Sequence, residues 1–229
     1  MLPTTDTLLG PAPPHSAFLE GFRVLRANLL GLCSREPFRT VLVTSAQARE
    51  GKTTIAANLA TVLALAGKRT VVVDADANLQ GLSRALGVRG RPGLTDLCAG
   101  DTSSDQVLCP TEVDALRIVS AGTQVERASE LMLSEKLQDA IRHISDVSDF
   151  VVIDAMPAVG FGATLSLAPV VDIVLVVARA RGDAQIVKQA LGALRDVGAN
   201  IAGIVVNDIN PQDSAITTSY YRYYYQEEE

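Results

Sequence analysis

The chain has 229 residues, enough for one well-buried α/β domain and short for two. Its formal net charge of -6 and pI near 5.0 argue against the broad basic face that nucleic-acid binding needs. Hydrophobic residues make up 48% of it, and its three cysteines (Cys33, Cys98, Cys109) form no C-x-x-C pair, so it reads as a globular protein with free thiols, without a disulfide framework or a zinc site.

Residues 1–15 are rich in Pro and Thr and lack a basic segment followed by an apolar one, so a flexible lead is expected there and no export signal. Phe18, Phe22, Leu25 and Leu29 recur at three- and four-residue spacing and predict a helix over 16–32, which Pro37 prevents from continuing. The chain then alternates. Strands are predicted at 40–44, 70–73, 150–153, 170–178 and 201–206, with a shorter one at 116–120 that belongs at an edge or in an insertion. Helices are predicted between them, at 53–66, 130–144 and 185–197. Runs of Val and Ile without polar alternation suit strands covered on both faces, and helices between such strands are the crossovers of a parallel sheet. The predicted architecture is a doubly wound, mostly parallel α/β domain over 16–210. No stretch approaches the ~18 uninterrupted apolar residues of a membrane span. From Pro211 onward core residues nearly vanish, and 211–229 reads as a flexible tail.

The chemistry-bearing residues gather at predicted strand ends. After the first strand comes SAQAREGKTT, a strand–loop–helix context in which backbone N–H groups and a helix N-terminus cradle phosphates. Arg49, Glu50, Gly51, Lys52, Thr53 and Thr54 form the expected cradle. Lys52 is expected to bridge the β- and γ-phosphates, Thr53 to ligate Mg²⁺ and Thr54 to reach the α-phosphate. Ala46 replaces the first Gly of G-x-x-x-x-G-K-[ST]. VVVDADAN ends a strand with Asp74 and Asp76, and FVVIDAMP ends another with Asp154. Ligands of open α/β sheets bind at these ends, where a hydrophobic run closed by Asp delivers a carboxylate to magnesium. Asp74 and Asp154 are the expected metal residues beside Thr53. Asp74 or Asp76 is expected to accept the proton of the attacking group. Asn207, closing the last strand, either reads the adenine base or forms a turn.

All five tyrosines, Tyr220, Tyr221, Tyr223, Tyr224 and Tyr225, fall within six positions near Glu227–Glu229. A polar terminal tract gives them little to pack against, and an extended tail can enter another molecule's site. Glu20, Arg23 and Arg26, at i, i+3 and i+6, make a charged helix face that is either solvated or an interface.

These motifs resemble the bacterial P-loop tyrosine autokinases, relatives of the MinD/ParA ATPases. The resemblance runs from about Leu19 to the C-terminus. It includes E-x-x-R-x-x-R (Glu20, Arg23, Arg26), the Walker A loop, the second aspartate motif VVVDADAN, PGLTDLCAGD at 92–101, ASEL at 128–131, VVIDAMP and the tyrosine-rich end. It implies ATP and Mg²⁺ as cofactors and autophosphorylation of the five tyrosines. It further implies a ring of copies with the arginine helix in the contact, and control of polysaccharide synthesis and export. A transmembrane polysaccharide co-polymerase would activate the chain and recruit it from the cytoplasm to the inner face of the membrane, and a tyrosine phosphatase would reverse its modification. Two features depart from the family pattern: Ala48-Arg49 stands where the loop usually carries Pro-Gly, and Asn78 stands where D-x-D-x-R has its arginine. A positioning ATPase of the MinD/ParA kind, or a weakly catalytic nucleotide-binding scaffold, is the alternative. Gln47 stands where such ATPases carry a signature lysine.

Overall fold

The apolar runs become the strands of one sheet. A computed structural model describes residues 17–88, 91–124, 128–131 and 134–209. The tyrosine cluster and residues 1–15 lie outside the described residues. Seven strands are ordered β3-β4-β2-β5-β1-β6-β7. They are β1 Thr40–Ser45, β2 Thr70–Asp74, β3 Cys109–Pro110, β4 Leu116–Val119, β5 Phe150–Asp154, β6 Ile173–Arg179 and β7 Ile201–Asn207. All neighbours pair in parallel except β3 with β4. The four residues of β1 that pair with β5, all five of β2 and all five of β5 are buried, as doubly covered Val/Ile runs require.

One face of the sheet is covered by α1 (Ala17–Cys33) and α2 (Lys52–Leu65), whose buried residues include Phe22, Leu29, Leu59 and Leu63. Ten consecutive residues of α2, from Ile55 to Ala64, are buried, so it is a central helix rather than a surface one. The short helix α3 Gly81–Ala85 follows on that same side, and the other face is covered by α4 Leu94–Ala99, α5 Ser104–Val107, α6 Ala128–Leu131, α7 Glu135–Asp146, α8 Gly162–Leu167 and α9 Ala184–Asp196. Of these, α4, α7 and α9 contribute Leu94, Ile144 and Leu194 to the second core, whereas Leu82 of α3 joins the first.

Three expectations are corrected. The helix predicted over 130–144 is divided, because Ser134 is extended (φ -85°, ψ 155°) and begins α7 anew at Glu135. The strand predicted from 170 starts at Ile173, because Pro169 lies in a 3-10 turn over Ala168–Val170. The strand near 116 belongs to the sheet proper, between β2 and the edge strand β3. Cys98 and Cys109 are buried free thiols, and Cys33 is half-buried. No helix among the described residues is long and apolar enough to cross a membrane.

Candidate active site

β1, β5 and β2 are adjacent, and their C-terminal ends bring the phosphate loop and the aspartates to one edge. Asp74 pairs in register with Asp154, and Asp154 with Val43, two residues before β1 ends.

The loop between β1 and α2 is fixed by its own side chains. The Gln47 amide donates to Glu50 Oε2 (2.8 Å), which holds an otherwise buried carboxylate, 4% exposed. The Ser45 hydroxyl donates to the Gln47 carbonyl (2.6 Å). Asn207 Nδ2 donates to the Glu50 carbonyl (3.0 Å), tying the end of β7 to the loop. Gly51 is left-handed (φ 93°), and a Cβ there would collide with Asn207 Nδ2. Glycine is therefore favoured by conformation, and a side chain there would also have to displace the Asn207 amide from the Glu50 carbonyl. Arg49 is left-handed too (φ 65°), although it is not glycine, and its side chain is exposed. Lys52 opens α2, so the first N–H groups of the helix, at Lys52, Thr53 and Thr54, lack intrahelical acceptors and present a positive dipole end.

The three aspartates differ in what surrounds them. Asp74 is fully buried, and both its oxygens are engaged. Oδ2 accepts from the Ser83 amide and hydroxyl (2.7 Å each), and Oδ1 from the Asp76 amide (3.1 Å). Burial raises its pKa, the Ser83 bonds oppose that, and the Asp76 charge adds to it. The Ser83 hydroxyl also accepts from the Ala121 amide (2.9 Å), so Asp74 and Ser83 join the start of α3 to the segment after β4. Asp76 accepts from the Leu79 amide through Oδ1 (2.9 Å) and has one oxygen without such a bond among the described residues.

Asp154 is 1% exposed, and neither oxygen has a hydrogen-bond partner. Burial pushes its pKa up to about 7. The nearby Lys52 charge lowers it, the Asp74 charge raises it, and the Thr53 hydroxyl pulls it down from beyond good hydrogen-bond geometry. A buried, unpartnered carboxylate is costly unless a cation or polar ligand completes it. Among the described residues no group of three or more His, Cys, Asp or Glu is placed to hold a metal by itself. The orphaned Asp154 carboxylate suits Mg²⁺, which takes one or two carboxylates and fills its shell with water and substrate phosphates.

Other predicted residues are divided. Glu20 and Arg23 form an exposed ion pair (3.2 Å) on α1, whereas Arg26 is half-buried and donates to the Val62 carbonyl of α2 (3.1 Å). Asn78 lies 3.9 Å from the Met156 sulfur, linking the loops after β2 and β5. Ser83 was missed, because its link to Asp74 spans nine positions and reads in sequence as an ordinary helix residue. A cleft of about 780 Å³ lined by Phe38, Arg39, Lys68, Arg142 and Asp172 opens where β1, β5 and β6 begin, at the opposite end of the sheet.

A family model described as an AAA domain matches residues 39–198. CapB of Staphylococcus aureus, assigned to the tyrosine-protein kinases, is 30% identical over 92% of this chain and 92% of its own length. ExoP of Rhizobium meliloti, a succinoglycan biosynthesis transport protein, is 29% identical over 85% of this chain, which spans only 25% of that protein. Among solved structures, the chimerical protein CapA2B2 matches with a TM-score of 0.82 at 24% identity, over 91% of this chain and 92% of that one. MinD from Pyrococcus horikoshii, complexed with Mg-ADP, matches with a TM-score of 0.64 at 23% identity, over 78% of this chain and 76% of that one. Both structural likenesses are to the fold.

Proposed function

The chain belongs to the bacterial tyrosine-protein kinases built on the AAA-domain P-loop fold, and on that footing we propose that it transfers the γ-phosphoryl group of MgATP to tyrosines of its own C-terminal segment, Tyr220, Tyr221, Tyr223, Tyr224 and Tyr225. The observation that carries the reading is the orphaned Asp154 carboxylate, set within reach of the Lys52 charge at the opening of α2.

The backbone N–H groups of Gly51–Thr54 and the dipole of α2 bind the phosphates, and the Lys52 ammonium bridges the β- and γ-oxygens. Thr53 and Asp154 are the residues suited to hold Mg²⁺, which when bound neutralises phosphate charge. In the transfer, the phenolic oxygen bonds to the γ-phosphorus, the bond to the β–γ bridging oxygen breaks, and ADP leaves with that electron pair. The phenolic proton passes to the free oxygen of Asp76. Asp74, with both oxygens taken, positions the loop that carries Asp76. Because the transition state is loose, positioning and charge neutralisation do most of the catalysis. Asn207 serves the loop through Glu50 and lies at the edge where the base would sit.

The wider role we propose is control of capsular or extracellular polysaccharide synthesis and export, which the naming of ExoP supports. In it the chain works from the cytoplasm as a homo-oligomer with Glu20 and Arg23 of α1 in the contact. A transmembrane co-polymerase recruits and activates it, and a tyrosine phosphatase resets it. Mass-spectrometric mapping of the C-terminal peptide from cells making the native chain or Lys52→Met tests the kinase. Phosphate on 220–225 in the native chain alone is expected. An unmodified tail in both, with a co-polymerase present, would sink the reading.

A further inference from the structure

Arg49 occupies a conformation that glycine adopts freely and that a long side chain adopts at a cost. The loop does not need arginine for its shape, because Gln47, Glu50 and Asn207 already fix it from both sides. Nor does the guanidinium serve the fold: it is exposed, and it has no hydrogen-bond or ion-pair partner among the described residues. A permanent, exposed cation thus stands on the phosphate loop, three positions before Lys52. The same chain holds a matching charge: its tyrosine cluster is followed by Glu227, Glu228 and Glu229.

We propose that Arg49 is a specificity-determining residue, which selects tyrosines in acidic surroundings by offering its guanidinium to carboxylates of the entering peptide. The proposal rests on the kinase reading and adds the substrate class. An exposed ion pair contributes modestly and weakens with salt, so the selectivity it confers is small and salt-sensitive.

The test uses the 229-residue chain with MgATP and two peptides, one of residues 219–229 and one with Glu227, Glu228 and Glu229 each changed to Gln. The native protein is expected to show kcat/KM about threefold higher for the acidic peptide at low salt, with the advantage fading at high salt. Arg49→Gly, which suits the backbone, is expected to bring the ratio near one, and Arg49→Lys to keep part of it. An unchanged ratio in Arg49→Gly would overturn the proposal. So would equal loss on both peptides with a raised KM for ATP, which would make Arg49 a nucleotide ligand. If the native protein phosphorylated neither peptide nor its own tail, the kinase reading would fall and this proposal with it.

Discussion

Asp154 couples the chemistry of the site to the stability of the fold. An ordinary aspartate titrates near 3.8, and burial moves this one up to about 7. Between those values the folded state keeps a proton that the unfolded state has lost, so stability falls as pH rises from about 4 to 7 and then levels off. The full effect is on the order of 4 kcal/mol at most. Asp154→Asn removes the slope. In urea unfolding without nucleotide, the variant should gain on the native protein by a few kcal/mol at pH 8 and hardly at all at pH 4, while losing activity. A gain independent of pH would mean that Asp154 does not titrate in this range. Burial raises Asp74 as well, but there hydrogen bonds oppose the shift. Three hydrogen bonds meet its charge inside the fold, so two aspartates paired across neighbouring strands have different duties.

At the scale of elements, the turn from β1 into α2 depends on one missing methyl group. Gly51→Ala meets both a left-handed backbone and the Asn207 amide, and should destabilise the protein by roughly 1–3 kcal/mol and abolish nucleotide binding. Adding Asn207→Ala should recover part of the stability and leave the backbone strain. Thermal unfolding of the single and double variants separates the two contributions, and a double variant no better than Gly51→Ala would refute the collision. The strands of this turn were legible because TVLVT, TVVV and FVVI admit no polar face. So were α2 and the aspartates, since each is a local pattern closed by a punctuating residue. Short helices such as α3 and α8 were not legible. With five and six residues they carry too few turns for a period, and tertiary packing alone defines them. The contacts of Ser83 with Ala121 and of Asn207 with Glu50 bridge 38 and 157 positions, and no spacing rule reaches that far.

Taken whole, the molecule places its chemistry at one end of the sheet and leaves two unlike edges. β3 closes one with an antiparallel pair of residues, and β7 closes the other with Ile204 and Val206 exposed. The order β3-β4-β2-β5-β1-β6-β7 puts the phosphate loop at a switch point, where the connection from β1 runs one way to β2 and that from its neighbour β5 runs the other way to β6, and open sheets bind their ligands there. The hydrogen bond from Asn207 to Glu50 then has a kinetic consequence. Asn207 ends the last strand among the described residues, beside the phosphate loop, and Tyr220 follows thirteen positions later in the sequence. Thirteen residues span at most roughly 45 Å, enough to reach that loop. A tethered group in that range has an effective concentration near the millimolar scale, whatever the bulk concentration. Dilution from micromolar to nanomolar should therefore lower the initial autophosphorylation rate per molecule to a plateau rather than to zero. A rate proportional to concentration throughout would show that each tail is barred from its own site and reacts only in a neighbour's.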